Sequence, residues 1–371
     1  MAQAETVKFL LDPYLQWCEG EGIPIVEDFG VDLFTVETEP WARFDAKGAF
    51  IHLKGRGDFV STFLLDIAPG GMSAPARHMF EAVVYVIEGH GSTTVETPEG
   101  RKHSFEWGPK SLFALPLNVK YRHFNGSGQD RALLAAAHDL PLVMNLIHNE
   151  EFVFENPYDF PERVGKAAFF DGEGEFTPVR PGRHMWETNF VPDLTDFGLK
   201  AWDARGAGST SLAFILADGT MHAHTSEIPF ARYKKGHRHG AGVHIFAVNG
   251  SGYTLLWYEG DEEFRRVPWR HGILYAPPYW MYHQHFNTSA QPARYLAIAM
   301  GSRRYPFLAI RRKGIEGATD LSVKKGGHQI EYEDQDPRIH KTYLEALSQT
   351  GAESRMGEFI DEAPFLEDLA S

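Results

Sequence analysis

The chain has one cysteine, Cys18, in 371 residues. An internal disulfide framework is therefore impossible, and zinc sites built from several thiolates are excluded. No run of about 18 apolar residues occurs, so no membrane-spanning helix is expected. The first residues lack a basic stretch followed by an apolar core, which speaks against a secretory signal and for a cytoplasmic protein. Basic charge is scarce: 36 Lys and Arg stand against 50 Asp and Glu, a net charge of −14. Such a surface repels phosphate backbones, so neither a nucleic-acid nor a membrane partner is expected. Low-complexity tracts and charge blocks are missing too.

What is present is aromatic and histidine-rich. Phe, Tyr and Trp make up 13% of the chain, ample material for large cores, and there are 18 histidines, several in tight clusters. The length suggests two domains, or one large one. An internal repeat supports this: Trp107, Leu112, Ala114, Pro116, His123, Phe124 and Asn125 recur as Trp269, Leu274, Ala276, Pro278, His285, Phe286 and Asn287, all at an offset of 162. Upstream, Gly89 and Gly91 recur as Gly250 and Gly252 at 161, a one-residue difference in the intervening hairpin.

Each copy reads as short strands rich in β-branched and aromatic residues, bounded by Gly, Pro or Asn. In the first copy these are 59–67, 82–88, 92–97 and 112–115; in the second, 211–217, 243–248, 253–258 and 273–276. Many short strands with glycine hairpins predict an all-β sandwich or barrel, present twice in tandem. Residues 6–18 have helical spacing, and 337–371 read as a helix followed by an acidic, solvated tail. The resulting division is 1–45 an N-terminal segment, 46–140 the first barrel, 141–204 an aromatic connector, 205–305 the second barrel and 306–371 a C-terminal extension.

The strongest chemical signal is His237 and His239 after Gly236, with His283 returning 44 residues after His239. A His-x-His pair on a strand or its edge puts both imidazoles on one face. A third histidine two strands later returns to the same place in a small barrel. Neutral imidazole ligates Fe, Cu, Ni and Zn, and three ligands leave positions open for substrate, as catalysis requires.

These residues resemble the cupin superfamily in its two-domain, or bicupin, form. The first motif of that family resembles Gly236, His237, His239 and Gly250; the second resembles Gly272, Pro278, His283 and Asn287. The resemblance implies two double-stranded β-helix (jelly-roll) barrels with a metal on His237, His239 and His283. Where many cupins place a glutamate ligand this chain has Val243, and a site of three histidines is similar to gentisate and salicylate 1,2-dioxygenases. That implies an Fe(II) ring- or C–C-cleaving dioxygenase, with Mn, Ni or Zn as alternatives. The partners would be dioxygen and a small aromatic hydroxyacid or enol-like substrate, and the assembly a homodimer or homotetramer. A metal-dependent lyase, isomerase or decarboxylase is the alternative, and a non-catalytic ligand-binding bicupin a third.

His285 is implied to adjoin the metal or to handle a proton, beside the plainer reading of a buried hydrogen-bonded side chain. Arg232 is a candidate anchor for a substrate carboxylate. His244 would join the site only if a bulge turned it inward. His222 and His224 form a second His-x-His pair, with Glu227 nearby, at the substrate pocket, an interface or the surface. Trp257, Tyr275, Trp280 and Tyr282 are candidate pocket aromatics. In the first copy Ala76 and Tyr121 replace His237 and His283, leaving only His78 of the triad with Glu81 nearby, so this copy is expected to hold no metal.

Overall fold

In the computed structural model, residues 11–180, 183–306 and 318–370 are described. Among them the chain forms two large sheets and two three-stranded sheets. One large and one small sheet face each other in each half, so the expected all-β fold of two barrels in tandem is the fold observed.

The strands fall close to the sequence reading. Ser61–Ile67, Ala82–Glu88, Gly91–Glu96 and Leu112–Ala114 build the first barrel; Thr210–Leu216, His244–Asn249, Gly252–Trp257 and Ile273–Tyr275 build the second. The N-terminal helix is Pro13–Glu21, capped by Asp12, whose side chain accepts from the Leu15 N–H. Most of the helix expected over 6–18 therefore begins later, at a proline that suits a first turn; residues 6–10 lie outside the described residues.

Within each barrel the strands alternate strictly. Phe63, Leu65 and Ile67 point into the first barrel, while Leu64 points out. Ile245 and Ala247 point into the second, while Phe246 and Val248 point out. The outward residues are not solvated. Leu64, Val83 and Leu133 share one core with Phe214, Phe246 and Ile298, so the two large sheets pack back to back. Tyr85 and Phe246 meet across this seam with ring centroids 5.4 Å apart.

Strands cross the seam as well. Gly30–Asp32, near the start of the chain, pairs with Ile273–Tyr275 of the second barrel. Phe190–Val191, in the connector, pairs with Phe113 and Leu112 of the first. Glu81 adds a polar tie: its Oε2 accepts from the Thr220 and Met221 N–H groups at 2.7 and 2.8 Å, and its Oε1 pairs with Arg163 at 2.5 Å.

Gly55 sits where the backbones of the two barrels meet. Its carbonyl accepts from Gly242 N–H at 2.8 Å, and a Cβ there would lie 2.1 Å from the Ala276 carbonyl oxygen. No side chain fits without moving backbone. Gly55→Ala should therefore destabilise the protein by about 3 kcal/mol, by the measure of overpacked cores. Urea denaturation checks this, and an unchanged midpoint contradicts it.

The C-terminal region differs from the expected solvated tail. Helix Pro337–Thr350 buries Ile339, Tyr343 and Leu347 against the second barrel. Beyond it Met356 is fully buried, Arg355 N–H donates to the Ala231 carbonyl, and Glu362 meets His340 at 3.1 Å. Apolar residues spaced among the acids dock this segment; the acidic count alone concealed them.

Candidate metal centre

His237 and His239 lie on an extended segment just before strand His244–Asn249. His283 lies on strand Tyr282–Asn287, and its backbone exchanges hydrogen bonds with His237 at 2.9 and 3.0 Å. This bridge brings the third imidazole beside the first two. Ring centroids are 4.1 Å apart for His237 and His283, and 4.6 Å for His239 and His283. One nitrogen from each of the three rings lies within 4.8 Å of the others, the only such group of three or more potential ligands among the described residues.

The protonation chemistry suits a cation. Burial holds His237 and His283 well below the ordinary histidine range, so both are neutral donors at pH 7. His239 Nδ1 lies 2.8 Å from the Gly240 carbonyl, which requires a proton on Nδ1 and leaves Nε2 with its lone pair. The Nδ1 of His237 is buried without a hydrogen-bond partner among the described residues, a costly arrangement unless an unseen partner is bound. The three donors therefore fit a divalent transition metal.

The triad borders a cavity of about 480 Å³. On strand Met221–Ile228, Met221 and Ala223 face the seam, while His222 and His224 face the cavity and contact each other, Nε2 to Nδ1, at 2.9 Å. Trp202, Tyr279 and Tyr295 are its aromatic residues on the second-barrel side. Lys234, fully buried, lies behind Tyr295, 3.2 Å from its hydroxyl.

His285 also borders the cavity. Its Nδ1 lies 2.9 Å from Thr254 Oγ1 and 3.1 Å from the Tyr275 hydroxyl, and its ring stacks on Trp269. These contacts fix the ring plane and leave Nε2 for the cavity. Burial, with Lys234 and Arg205 as further causes, keeps it neutral.

Two expected residues are placed elsewhere. Arg232 does not border the cavity; it pairs with Glu358 of the docked C-terminal segment at 3.0 Å and lies over the Phe359 ring. The C-terminal extension supplied a carboxylate partner that the motif could not reveal. His244 points away from the triad, because the irregularity in its strand falls between Ala247 and Asn249, too late to turn it inward. It is fully buried, with His52, His138 and Arg56 as its charged or titratable neighbours.

The expected aromatic lining is likewise different. Tyr275 lies behind His285, while Trp257 stacks on Tyr282 beside Phe264. Trp280 meets His328. Strand parity could have placed Tyr295 on the inner face, two residues before Ala297; Trp202 lies in the connector and had no periodic signal. Arg205 was missed as well. It is buried, donating to Asp320, Gln329 and the Thr319 carbonyl.

The first barrel repeats this frame with other residues at two of the three triad positions. Ala76 and Tyr121 form the same isolated bridge as His237 and His283. His78 Nε2 contacts the Tyr121 hydroxyl at 3.1 Å, and its ring stacks on Phe80. His123 Nδ1 meets Thr93 at 2.7 Å, as His285 meets Thr254. Only about 20 Å³ remains open in front of it, because Phe44, Phe63 and Tyr121 fill the interior.

No family model matches the chain. Two curated proteins are similar over 100 residues: the glucose-6-phosphate isomerases of Thermococcus onnurineus (strain NA1), 32% identical, and Thermococcus gammatolerans, 31% identical. Each match covers 26% of this chain and 50% of the relative, so the chain spans about half the length of the curated relatives it matches. Among solved structures, two variants of Bacillus subtilis oxalate decarboxylase are similar, both 13% identical. One has a TM-score of 0.46, covering 74% of this chain and 78% of that chain; the other has 0.47, covering 81% and 85%.

Proposed function

We propose that the chain is a metal-dependent bicupin enzyme acting on a small anionic substrate, with its reaction centre at His237, His239 and His283. The observation that carries this reading is the convergence of three imidazole nitrogens within 4.8 Å at the wall of a 480 Å³ cavity. Three neutral donors leave a divalent charge uncompensated, so an anionic chelating group such as an ortho-hydroxycarboxylate or enolate is favoured beside them. When bound, Fe(II) would supply Lewis acidity and an electron path from substrate to dioxygen, the chemistry of a ring- or C–C-cleaving dioxygenase.

The chain's own residues supply orientation and proton handling. Thr254 and Tyr275 hold the His285 ring so that Nε2 takes or gives a proton at the substrate. His222 and His224, bonded to each other across the same inner face, form a polar wall. The apolar residues between the strands keep water low around the reacting group.

A second reading, metal-dependent isomerase or lyase with Mn, Ni or Zn as Lewis acid, draws support from the sequence likeness to the two isomerases. Oxygen uptake separates the two. Iron-loaded protein given aromatic hydroxyacids should consume dioxygen in proportion to substrate; turnover under strict anaerobiosis would favour the isomerase or lyase.

His285→Gln should keep one metal per chain while lowering turnover about 100-fold, the usual worth of a positioned acid or base. Metal content and rate, measured on one preparation, check this together. Loss of the metal would make His285 a ligand-positioning residue instead.

A further inference from the structure

The cavity is not built by one barrel. Gly57, Asp58, Phe59 and Val60 of the first barrel border it together with the second-barrel residues. Their segment is clamped in place: Gly55 carbonyl accepts from Gly242 N–H, and a Cβ on Gly57 would lie 3.1 Å from the Ala241 side chain. Gly240, Ala241 and Gly242 directly follow the ligand His239, so the clamp reaches the metal centre's own backbone.

The inner faces are divided by polarity. On the second barrel's large sheet, neighbouring strands place Ile245 beside Ala297 and Ala297 beside His224. The His222 and His224 strand is polar toward the cavity; the strands that continue the sheet beside it, with Ala297 and Ala299 and then Val243 and Ile245, are apolar. Val243 stands next to Gly242, where the first barrel docks. The apolar side therefore leads from the metal centre toward Phe59 at the rim, while Val60, fully buried in the core between the sheets, backs the first barrel's part of the wall. Asp58, exposed on the same rim, disfavours a second anionic group there.

We propose that the first barrel, though it lacks a ligand set, forms the specificity wall of the second barrel's cavity, and that the substrate carries an apolar tail along Phe59. This rests on the reading that the anionic head sits at the triad. It assigns the substrate class as an amphipathic small acid, with the head on the histidines and the tail toward the first barrel.

The test uses full-length protein loaded with Co(II), titrated with lactate and with 3-phenyllactate. Wild-type protein should bind phenyllactate more tightly. Phe59→Ala and Phe59→Ser should each reduce that preference at least about fivefold, through lost apolar contact, while lactate affinity stays unchanged. Phe59 is 41% exposed, so its variants fold. A preference within twofold of wild type in both variants overturns the proposal, as does failure of wild-type protein to bind either acid with or without metal. If His283→Ala protein, free of metal, retains the wild-type preference and both wall variants lose it, the wall stands and the metal reading falls.

Discussion

His283→Ala should strip the protein of its metal. The substitution removes one of three ligands at a bridge where His237 and His283 hold each other's backbone. Removing a residue that merely orients a ligand usually weakens a metal 10–100-fold, so deleting a ligand should cost more than about 100-fold. His123→Ala, at the matching position of the His285 pair in the first barrel, should leave metal content unchanged. His123 meets only Thr93 and a packed interior, and no ligand set surrounds it. Elemental analysis after dialysis against a chelator distinguishes the two variants. Equal loss in both would mean that the first barrel holds metal, contrary to the filling of its centre by Tyr121.

Acid should unfold the protein early and steeply. Away from the metal centre, five buried histidines resist protonation most strongly. Burial pulls His52 and His78 down to about 4, and His123 and His244 to about 3; His138 also lies well below the ordinary range. The unfolded chain takes these protons near pH 6.5 while the folded chain refuses them. Stability is thus fully present above about pH 6.5 and is lost as pH falls toward 4. Each group contributes about 1.4 kcal/mol per pH unit in that window. Asp139 acts in the opposite sense: burial, then the nearby Glu81, raises it, so it favours the fold on the acid side. One carboxyl does not offset five imidazoles. The urea midpoint should therefore drop sharply between pH 7 and 5.

His138 gives the sharper test of this account. It is packed among Tyr14, Phe63 and Phe80, and neither ring nitrogen has a hydrogen-bond partner among the described residues. His138→Leu removes both the unsatisfied nitrogens and one refused proton. It should raise stability at pH 5 and flatten the pH slope by one group's share. A slope unchanged from wild type would show that His138 is charged or hydrogen-bonded in solution.

Much of this architecture was legible in the sequence because the duplication left matched landmarks. Asn125 and Asn287 show why they persisted. Asn125 Nδ2 donates to the carbonyls of Ile67, Ala68 and Asp130, and Asn287 Nδ2 to those of Ile228, Pro229 and Gln291, so each closes its barrel in the same way. The triad's location was equally readable, since its spacing follows from strand parity. The cavity walls were not. Strands such as Ser61–Ile67 are buried on both faces, so they show no alternation of apolar and polar residues to tell which side faces what. Arg232 looked available because the segment that occupies it lies more than a hundred residues later. The first barrel's loop at Gly57–Val60 carries no motif, and only the folded seam brings it to the metal centre.

The exchanged strands set a limit on how this chain can be divided. Gly30–Asp32 belongs by position to one half and by hydrogen bonding to the other, and Phe190–Val191 does the reverse. Cutting between the repeats would leave each fragment with an open sheet margin and a greasy back, both invitations to aggregate. Two halves tied by these pairings and by one shared core should unfold together, in a single transition.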